Sequence, residues 1–333
     1  MKPPLQTRPS AILLVKTSSM GDVVHLLPAV SDIARSLPQA TVDWVVEEQF
    51  ADLPALHPAV ARVIPVALRR WRTTPLSRAT RAEFAAFCGR LRERRYDIVI
   101  DAQGLVKSAA LAALAHGIST GPGFGYARER MAALFYGRRL AVPWTLPAIV
   151  ANRRLIGEAL GFPDTDPMST SPPDYGIRAS ADQADWLPPA PYVALLHGAS
   201  AAEKLWPEEN WRALGEFLAR RGVNCILPWG SDDERRRALR LAPAIARAVV
   251  APALGLAQAA GLLAGAKLAI GVDSGLAHLA AAVGTPAITL FCGSNPDRTG
   301  VVAMAGRVAH NLGARGHAPS TGQVIAAVAK VMP

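Results

Sequence analysis

The chain has 333 residues, half of them hydrophobic, with a formal net charge of +10 and three cysteines. That is apolar material enough for two domain cores, and it excludes wholesale disorder. Cys88, Cys225 and Cys292 lie far apart in apolar surroundings, so they read as buried free thiols and exclude a disulfide framework or a zinc site.

In chain order, the polar MKPPLQTRPS carries no signal-like core, and the AILLV after it is too short for one or for a membrane span. The short, β-branched runs AILLVK, TVDWVV, ARVIPV and YDIVIDAQ follow, with helical patterns at 23–37 and 81–95 among them. Both faces of each run are apolar, as in a parallel sheet covered by helices. A proline-rich polar stretch, GFPDTDPMSTSPPDYG at 161–176, reads as a linker. The pattern then repeats with YVALLHG, VNCILPWG, KLAIGVD and PAITLFCG, and with helices at 208–221, 255–265 and 276–283. A tail helix falls at 320–331.

This predicts an α/β chain of two doubly wound, Rossmann-like domains: 1–162, a linker at 163–176, then 177–319, with 320–333 a C-terminal helix placed to pack back across the domains. Such sheets bind ligands outside the carboxyl ends of their strands, so a cleft between two of them is the expected site.

Positive charge is concentrated in LRRWR (68–72), RATR (78–81), RLRERR (90–95) and DERRR (233–237). Its natural partners are polyanions: nucleic acid, anionic lipid head groups or a phosphorylated substrate. The last two runs fall at helical spacing and read as solvated faces. LRRWR follows the strand-like ARVIPV directly, so its arginines belong on a loop at a strand's carboxyl end.

Several signals fail on inspection. GPGFG (121–125) lacks the third glycine of a dinucleotide loop, and Pro122 removes a needed donor. No Walker-type loop is present, GVDSG (271–275) misplaces the serine of a nucleophile elbow, and the histidines show no metal-ligand spacing. The Asp-Thr-Asp at 164–166 sits in the linker with no strand before it and reads as a turn.

Four loops after strands survive. KTSSMGD (16–22) ends in Asp22, which is either a first-turn helix cap or a base facing substrate. HGASAAEKLWPEENW (197–211) sets Lys204 just ahead of a helix, where it is either a solvated lysine or a phosphate counter-charge. WGSDDE (229–234) offers Glu234, an exposed first-turn glutamate or a ribose ligand. VDSGLAHLAAAVGTP (272–286) places Asp273, Ser274 and Gly275 at a helix N-terminus, where free N–H groups and the helix dipole favour a pyrophosphate.

Together VKTSSMGDVVHLLPA, DWVVEE, RVIPVALRRWR, DAQGLVKSA, LHGASAAEKLWPEENW, LPWGS and VDSGLAHLAAA resemble, in order and over nearly the whole chain, the ADP-heptose:lipopolysaccharide heptosyltransferase family. KTSSMGD with RRWR and DAQGLVKSA point within it to the type that adds the first inner-core heptose. The resemblance implies a GT-B fold and inverting, metal-independent transfer of L-glycero-D-manno-heptose from ADP-heptose, the donor substrate, to the Kdo of Kdo2-lipid A. No cofactor is implied. Carried over, the family's base falls on Asp22, and its donor contacts fall on Ser200, Lys204, Glu234, Asp273, Ser274, Gly275 and His278. The acceptor's phosphates and carboxylates fall to Arg69, Arg70, Arg72 and Arg128. Ala199 stands where relatives carry a hydroxyl, which leaves Ser200 to serve, and SNPDRTG (294–300) receives no role.

Like charges repel, so Asp273 is expected to meet a sugar hydroxyl or a backbone amide rather than phosphate, while His278 lies one helical turn past Ser274. Trp71 is expected at the polar boundary of an anionic membrane, with the protein peripheral on the cytoplasmic face of the inner membrane. Nucleic acid is not an expected partner, because no binding module accompanies the charge. The rival readings are a basic nucleic-acid-binding protein, a nucleotide-sugar epimerase of the same fold, and a sister enzyme adding the next heptose.

Overall fold

The computed structural model describes residues 8–162, 171–179, 185–188 and 191–332, and the Asp-Thr-Asp at 164–166 lies outside them. The chain separates into two units, Met1–Gly176 and Ile177–Pro333.

Among the described residues the first unit holds six strands: β1 Ala11–Val15, β2 Thr41–Glu47, β3 Val60–Val66, β4 Ile98–Asp101, β5 Ile118–Pro122 and β6 Arg138–Leu140. They pair in parallel in the order β3-β2-β1-β4-β5-β6. The second unit repeats the plan with β7 Tyr192–Leu196, β8 Asn224–Leu227, β9 Ala248–Val250, β10 Leu268–Val272, β11 Ala287–Phe291 and β12 Ala309–Gly313, in the order β12-β11-β10-β7-β8-β9. Both are the doubly wound order in which the winding reverses beside the first strand. In each sheet this leaves a crevice at the strands' carboxyl ends, between β1 and β4 and between β7 and β10.

Burial explains which strands the sequence announces. Every residue of β4, β7, β10 and β11 is buried, as covering a parallel sheet on both faces requires. The strands with no place in the sequence prediction are β5, β6, β9 and β12. Of these β6, β9 and β12 are short or half-exposed, and Arg-Arg-Leu or Ala-His-Asn-Leu-Gly carries little periodic signal. Pro65 sits in β3, at the sheet's edge, where a missing donor costs least.

The helix Thr321–Val331 starts from a capping box in which Ser320 N–H donates to Gln323 Oε1 at 2.8 Å. Its Val324, Ala327 and Val328 join Leu214 and Leu218 of the helix Glu208–Arg220 in the second unit's core. Trp206 and Trp211 meet edge to face there at 5.1 Å, and the Trp206 indole donates to Pro319 O at 2.8 Å. Among the described residues no helix is long and apolar enough to cross a membrane.

The arginine runs are more than solvated faces. Arg94 and Arg62 both reach the fully buried Asp43, which also accepts from the Tyr96 hydroxyl at 2.8 Å. Arg92 donates to Leu114 O, and Arg237 donates to Trp206 O and forms an ion pair with Glu208. The cysteines are free thiols as expected, but only Cys225 is fully buried, and Cys88 and Cys292 are half-buried.

Asp32 on the helix Leu27–Ser36 and Arg153 on the helix Ala148–Leu160 form a two-pronged ion pair, 2.7 and 3.1 Å, with both side chains 3% exposed. Arg153 also donates to Ser171 O at 2.9 Å, which ties in the segment after the described gap. Removing one partner leaves the other charge buried. Asp32→Ala is therefore expected to cost the first unit about 3–5 kcal/mol, read as a lower urea midpoint. A shift no larger than that of a surface alanine would show that the pair contributes little.

Candidate functional site

In the second unit, Lys204 closes a single 3-10 turn, Ala202–Lys204, in the loop after β7, and Asp273 follows β10 directly. Lys204 Nζ donates to Asp273 Oδ2 at 2.7 Å, across the crevice where the sheet's winding reverses. Ser294 Oγ donates to the same oxygen at 2.6 Å, and His278 Nε2 lies 3.7 Å from Oδ1, an electrostatic contact rather than a hydrogen bond. Asp273 is 7% exposed. Burial pushes its carboxyl up, but His278, Lys204 and Ser294 together outweigh burial and hold it well below the usual carboxylate range. Within the chain, Lys204 neutralises the aspartate and Ser294 gives it a second donor.

Ser294 was missed because SNPDRTG has no motif of its own. Gly293 explains how it arrives, since a Cβ there would lie 2.6 Å from Glu203 O, so only glycine lets the post-β11 loop close on the turn bearing Lys204. Ser274 occupies the N-cap of the helix Gly275–Ala282, and Gly275 is its first residue. The Ser274 hydroxyl is buried without a partner among the described residues, although an N-cap serine ordinarily accepts from its own helix. Free helix N–H groups, an unpaired hydroxyl and an ammonium thus gather at one strand end, an arrangement that suits a diphosphate.

Glu234 is the third residue of the helix Asp232–Leu241, behind the Ser231 cap, and accepts from Gly230 N–H at 2.7 Å. It presses so closely on Gly198 that any Cβ there would collide with its carboxylate carbon. Ser200 is exposed on the loop between Gly198 and Lys204. His197 follows β7 directly and is fully buried; burial lowers its pKa to about 4, so its imidazole is neutral near pH 7.

In the first unit, Asp22 is the third residue of the helix Met20–Val24. Its Oδ2 accepts from Ser19 N–H at 2.9 Å and from Ser19 Oγ at 3.1 Å, so the capping role weighed from sequence is real. Burial raises the carboxyl's pKa, while the charge of Lys16, the Ser19 amide, His25 and the Ser19 hydroxyl lower it further, and the net direction is down. Lys16 is the residue the sequence reading passed over. It follows β1 directly, is 7% exposed, and its Nζ donates to Ala102 O at 2.7 Å, just beyond β4. Thr17 ties the same two loops through Gln103, its amide and hydroxyl both donating to Oε1. Buried Asp101 fixes the β4 loop by accepting from Gln103 and Gly104 N–H and from the Ser108 and Tyr136 hydroxyls.

LRRWR forms a short helix, Leu68–Trp71, rather than an open loop. Trp71 is 8% exposed, its indole donating to Glu83 and its ring edge-on to Phe84 and Phe87. Its expected place at a membrane boundary is corrected accordingly, because the apolar ring fills the core between this turn and the helix Arg78–Arg92. Arg70 is held by Glu48 and Glu83, whose hydrogen bonds raise its pKa. Arg69 lies over the Phe50 ring at 5.6 Å, and Arg72 is exposed. Arg69 and Arg72 share a cavity; Arg128 does not line it and is exposed on the loop after β5. No group of three His, Cys, Asp or Glu side chains that could hold a metal occurs among the described residues.

A family model described as glycosyltransferase family 9 (heptosyltransferase) matches residues 84–326. The chain is 48% identical over 293 residues to lipopolysaccharide heptosyltransferase 1 of Pseudomonas aeruginosa, covering 87% of this chain and 80% of that protein. Among solved structures it resembles the E. coli heptosyltransferase WaaC with ADP, at 39% identity and a TM-score of 0.86, covering 96% of this chain and 99% of that one. It also resembles the same enzyme with ADP-2-deoxy-2-fluoro heptose, at 40% identity and a TM-score of 0.78, covering 96% of this chain and 98% of that one.

The Asp273 cluster has an acid signature. A carboxyl held below its ordinary 3.8 stabilises the fold fully above that unfolded value and loses its contribution as pH falls through the folded one. The stability gap between wild type and Asp273→Asn, on the order of 2 kcal/mol for a carboxylate bonded to a charged partner, is expected to stay flat from about pH 7 to 5 and to close below about pH 4. Urea unfolding at stepped pH measures it. A gap that changed between neutrality and pH 5 would assign the titration to another group.

Proposed function

The chain belongs to glycosyltransferase family 9 and is a heptosyltransferase of lipopolysaccharide inner-core biosynthesis with the α/β architecture of the GT-B heptosyltransferases; from that premise we propose that it moves L-glycero-D-manno-heptose from ADP-heptose to the Kdo of Kdo2-lipid A with inversion. The observation that carries the donor half is the Lys204–Asp273–Ser294 cluster at the N-terminus of the helix Gly275–Ala282. Lys204 meets the diphosphate as it departs, together with the free N–H groups of that helix and the Ser274 hydroxyl. Glu234 accepts from ribose hydroxyls, Ser200 serves the phosphates, and Asp273 with His278 orients the lysine. In this reading the counter-charge comes from the chain itself and ADP-heptose is the donor substrate, with no cofactor.

Asp22 is the base. Its lowered pKa keeps it ionised near neutrality, and a weak base suffices because diphosphate is already a stable leaving anion. Ser19 engages one oxygen, Oδ2, and the proton of the acceptor hydroxyl goes to the other. Arg69, Arg72 and Arg128 meet the acceptor's phosphates and sugar carboxylates, for which a planar guanidinium is suited. Arg70, neutralised by two glutamates, chiefly holds its turn in place. Attachment is peripheral, at the anionic cytoplasmic face of the inner membrane, and nucleic acid is not a partner.

Incubation with ADP-heptose and Kdo2-lipid A, followed by mass analysis of the lipid, tests the whole reading: a single added heptose is expected. Product formed without acceptor would mean an epimerase, and addition only to an already heptosylated core would mean the sister enzyme. Asp22→Asn keeps the cap and removes the basicity, so kcat is expected to fall about 10²–10⁴-fold with donor KM little changed. Survival of turnover within a few-fold would put the base elsewhere. Lys204→Ala is expected to weaken ADP binding about ten-fold or more by calorimetry, since it removes a charge-assisted contact.

A further inference from the structure

Beside the LRRWR turn lies a cavity of about 510 Å³, within the roughly 300–1,000 Å³ range of small-molecule sites. Its walls are Leu68, Trp71, Pro75 and Phe84, and its charged lining is Arg69, Arg72, Arg81 and Lys107, with no carboxylate. Three nearby glutamates do not line it and are engaged within the chain: Glu47 accepts from the Arg69 N–H, Glu48 is bonded to Arg70, and Glu83 to Arg70 and the Trp71 indole. The remaining lining residue, Thr80, has its hydroxyl bonded to Ser77. The cavity therefore offers apolar surface and positive charge and almost no neutral hydrogen-bonding groups, unlike a site built to read a base or a sugar. Phe84 is 40% exposed, and Leu76, next to Pro75, is 85% exposed, so the apolar surface runs out to solvent.

We propose that this cavity binds one fatty-acyl chain of the anionic glycolipid acceptor, with the acid groups of the same molecule held at the rim by Arg69, Arg72, Arg81 and Lys107. The proposal rests on the acceptor reading above and adds to it a recognition of the lipid half, separate from the sugar acids. Charge alone needs no apolar walls, and an apolar ligand alone has no use for four cations. An amphiphile with a negative head satisfies both.

Two measurements test it. In the first, kcat/KM is compared for Kdo2-lipid A and for its fully deacylated form, which keeps every phosphate and carboxylate. Phe84→Ser is expected to lower the acylated-to-deacylated ratio about five- to ten-fold, the size of one lost apolar side-chain contact, and Phe84→Leu to restore most of it. An unchanged ratio overturns the proposal. If wild type transfers heptose to neither acceptor, the function itself is wrong, and the second measurement still decides the cavity. There, dodecyl phosphate below its micellar concentration and inorganic phosphate are titrated against the protein by calorimetry. Wild type is expected to bind dodecyl phosphate at least ten-fold more tightly, with Phe84→Ser and Arg81→Glu each removing most of that preference. Equal binding of the two probes overturns the proposal. Phe84-dependent inhibition by phosphatidylglycerol vesicles as strong as that by excess acylated acceptor would assign the cavity to bulk membrane lipid and overturn it as well.

Discussion

A carboxylate that is nearly out of water must be neutralised, and around Asp273 this requirement shapes the second unit's site. Left alone, such a charge would cost several kcal/mol, so its two oxygens draw in Lys204, Ser294 and, at longer range, His278. These partners come from the segments after β7 and β11 and from the helix after β10, and the ion pair sits where the parallel sheet reverses its winding. Ser294 shares the oxygen that Lys204 uses, so the carboxylate keeps a second donor beside the ammonium.

The first unit solves the same topological problem with different residues. Its reversal lies between β1 and β4, where Lys16 and Thr17 reach across to Ala102 and Gln103. Lys16 is anchored on a carbonyl and its charge lowers the Asp22 pKa, while Ser19 fixes the carboxylate by one oxygen. A cap and a base are then compatible roles for one side chain: capping fixes the geometry, and the neighbouring cation sets the ionisation.

Much of this was legible in the sequence. The central strands were, because a strand covered on both faces must be apolar along its length, and residues following such strands are where a doubly wound sheet exposes polar groups. That reasoning singled out Asp22, Lys204, Asp273 and Ser274 by position. Three of the four edge strands were not legible, since β6, β9 and β12 have one open flank and no need of continuous apolar sequence, whereas the edge strand β3 announced itself through ARVIPV. Ser294 and Lys16 escaped for another reason. Their roles are fixed by residues 21 positions away and by an adjoining strand, relations that no local pattern encodes. The arginine runs misled in part, since spacing cannot separate an arginine in water from one bonded to a buried carboxylate, as Arg94 is to Asp43.

The indole of Trp206 links two distant pieces of chain. It stands two residues beyond Lys204, and its hydrogen goes to the carbonyl of Pro319, immediately ahead of the capped final helix. That helix is thus a buttress for the loop that carries Lys204 and not an appendage. Shortening the chain there, or fusing a bulky tag against it, would be felt some hundred residues upstream, at the turn where Lys204 meets Asp273.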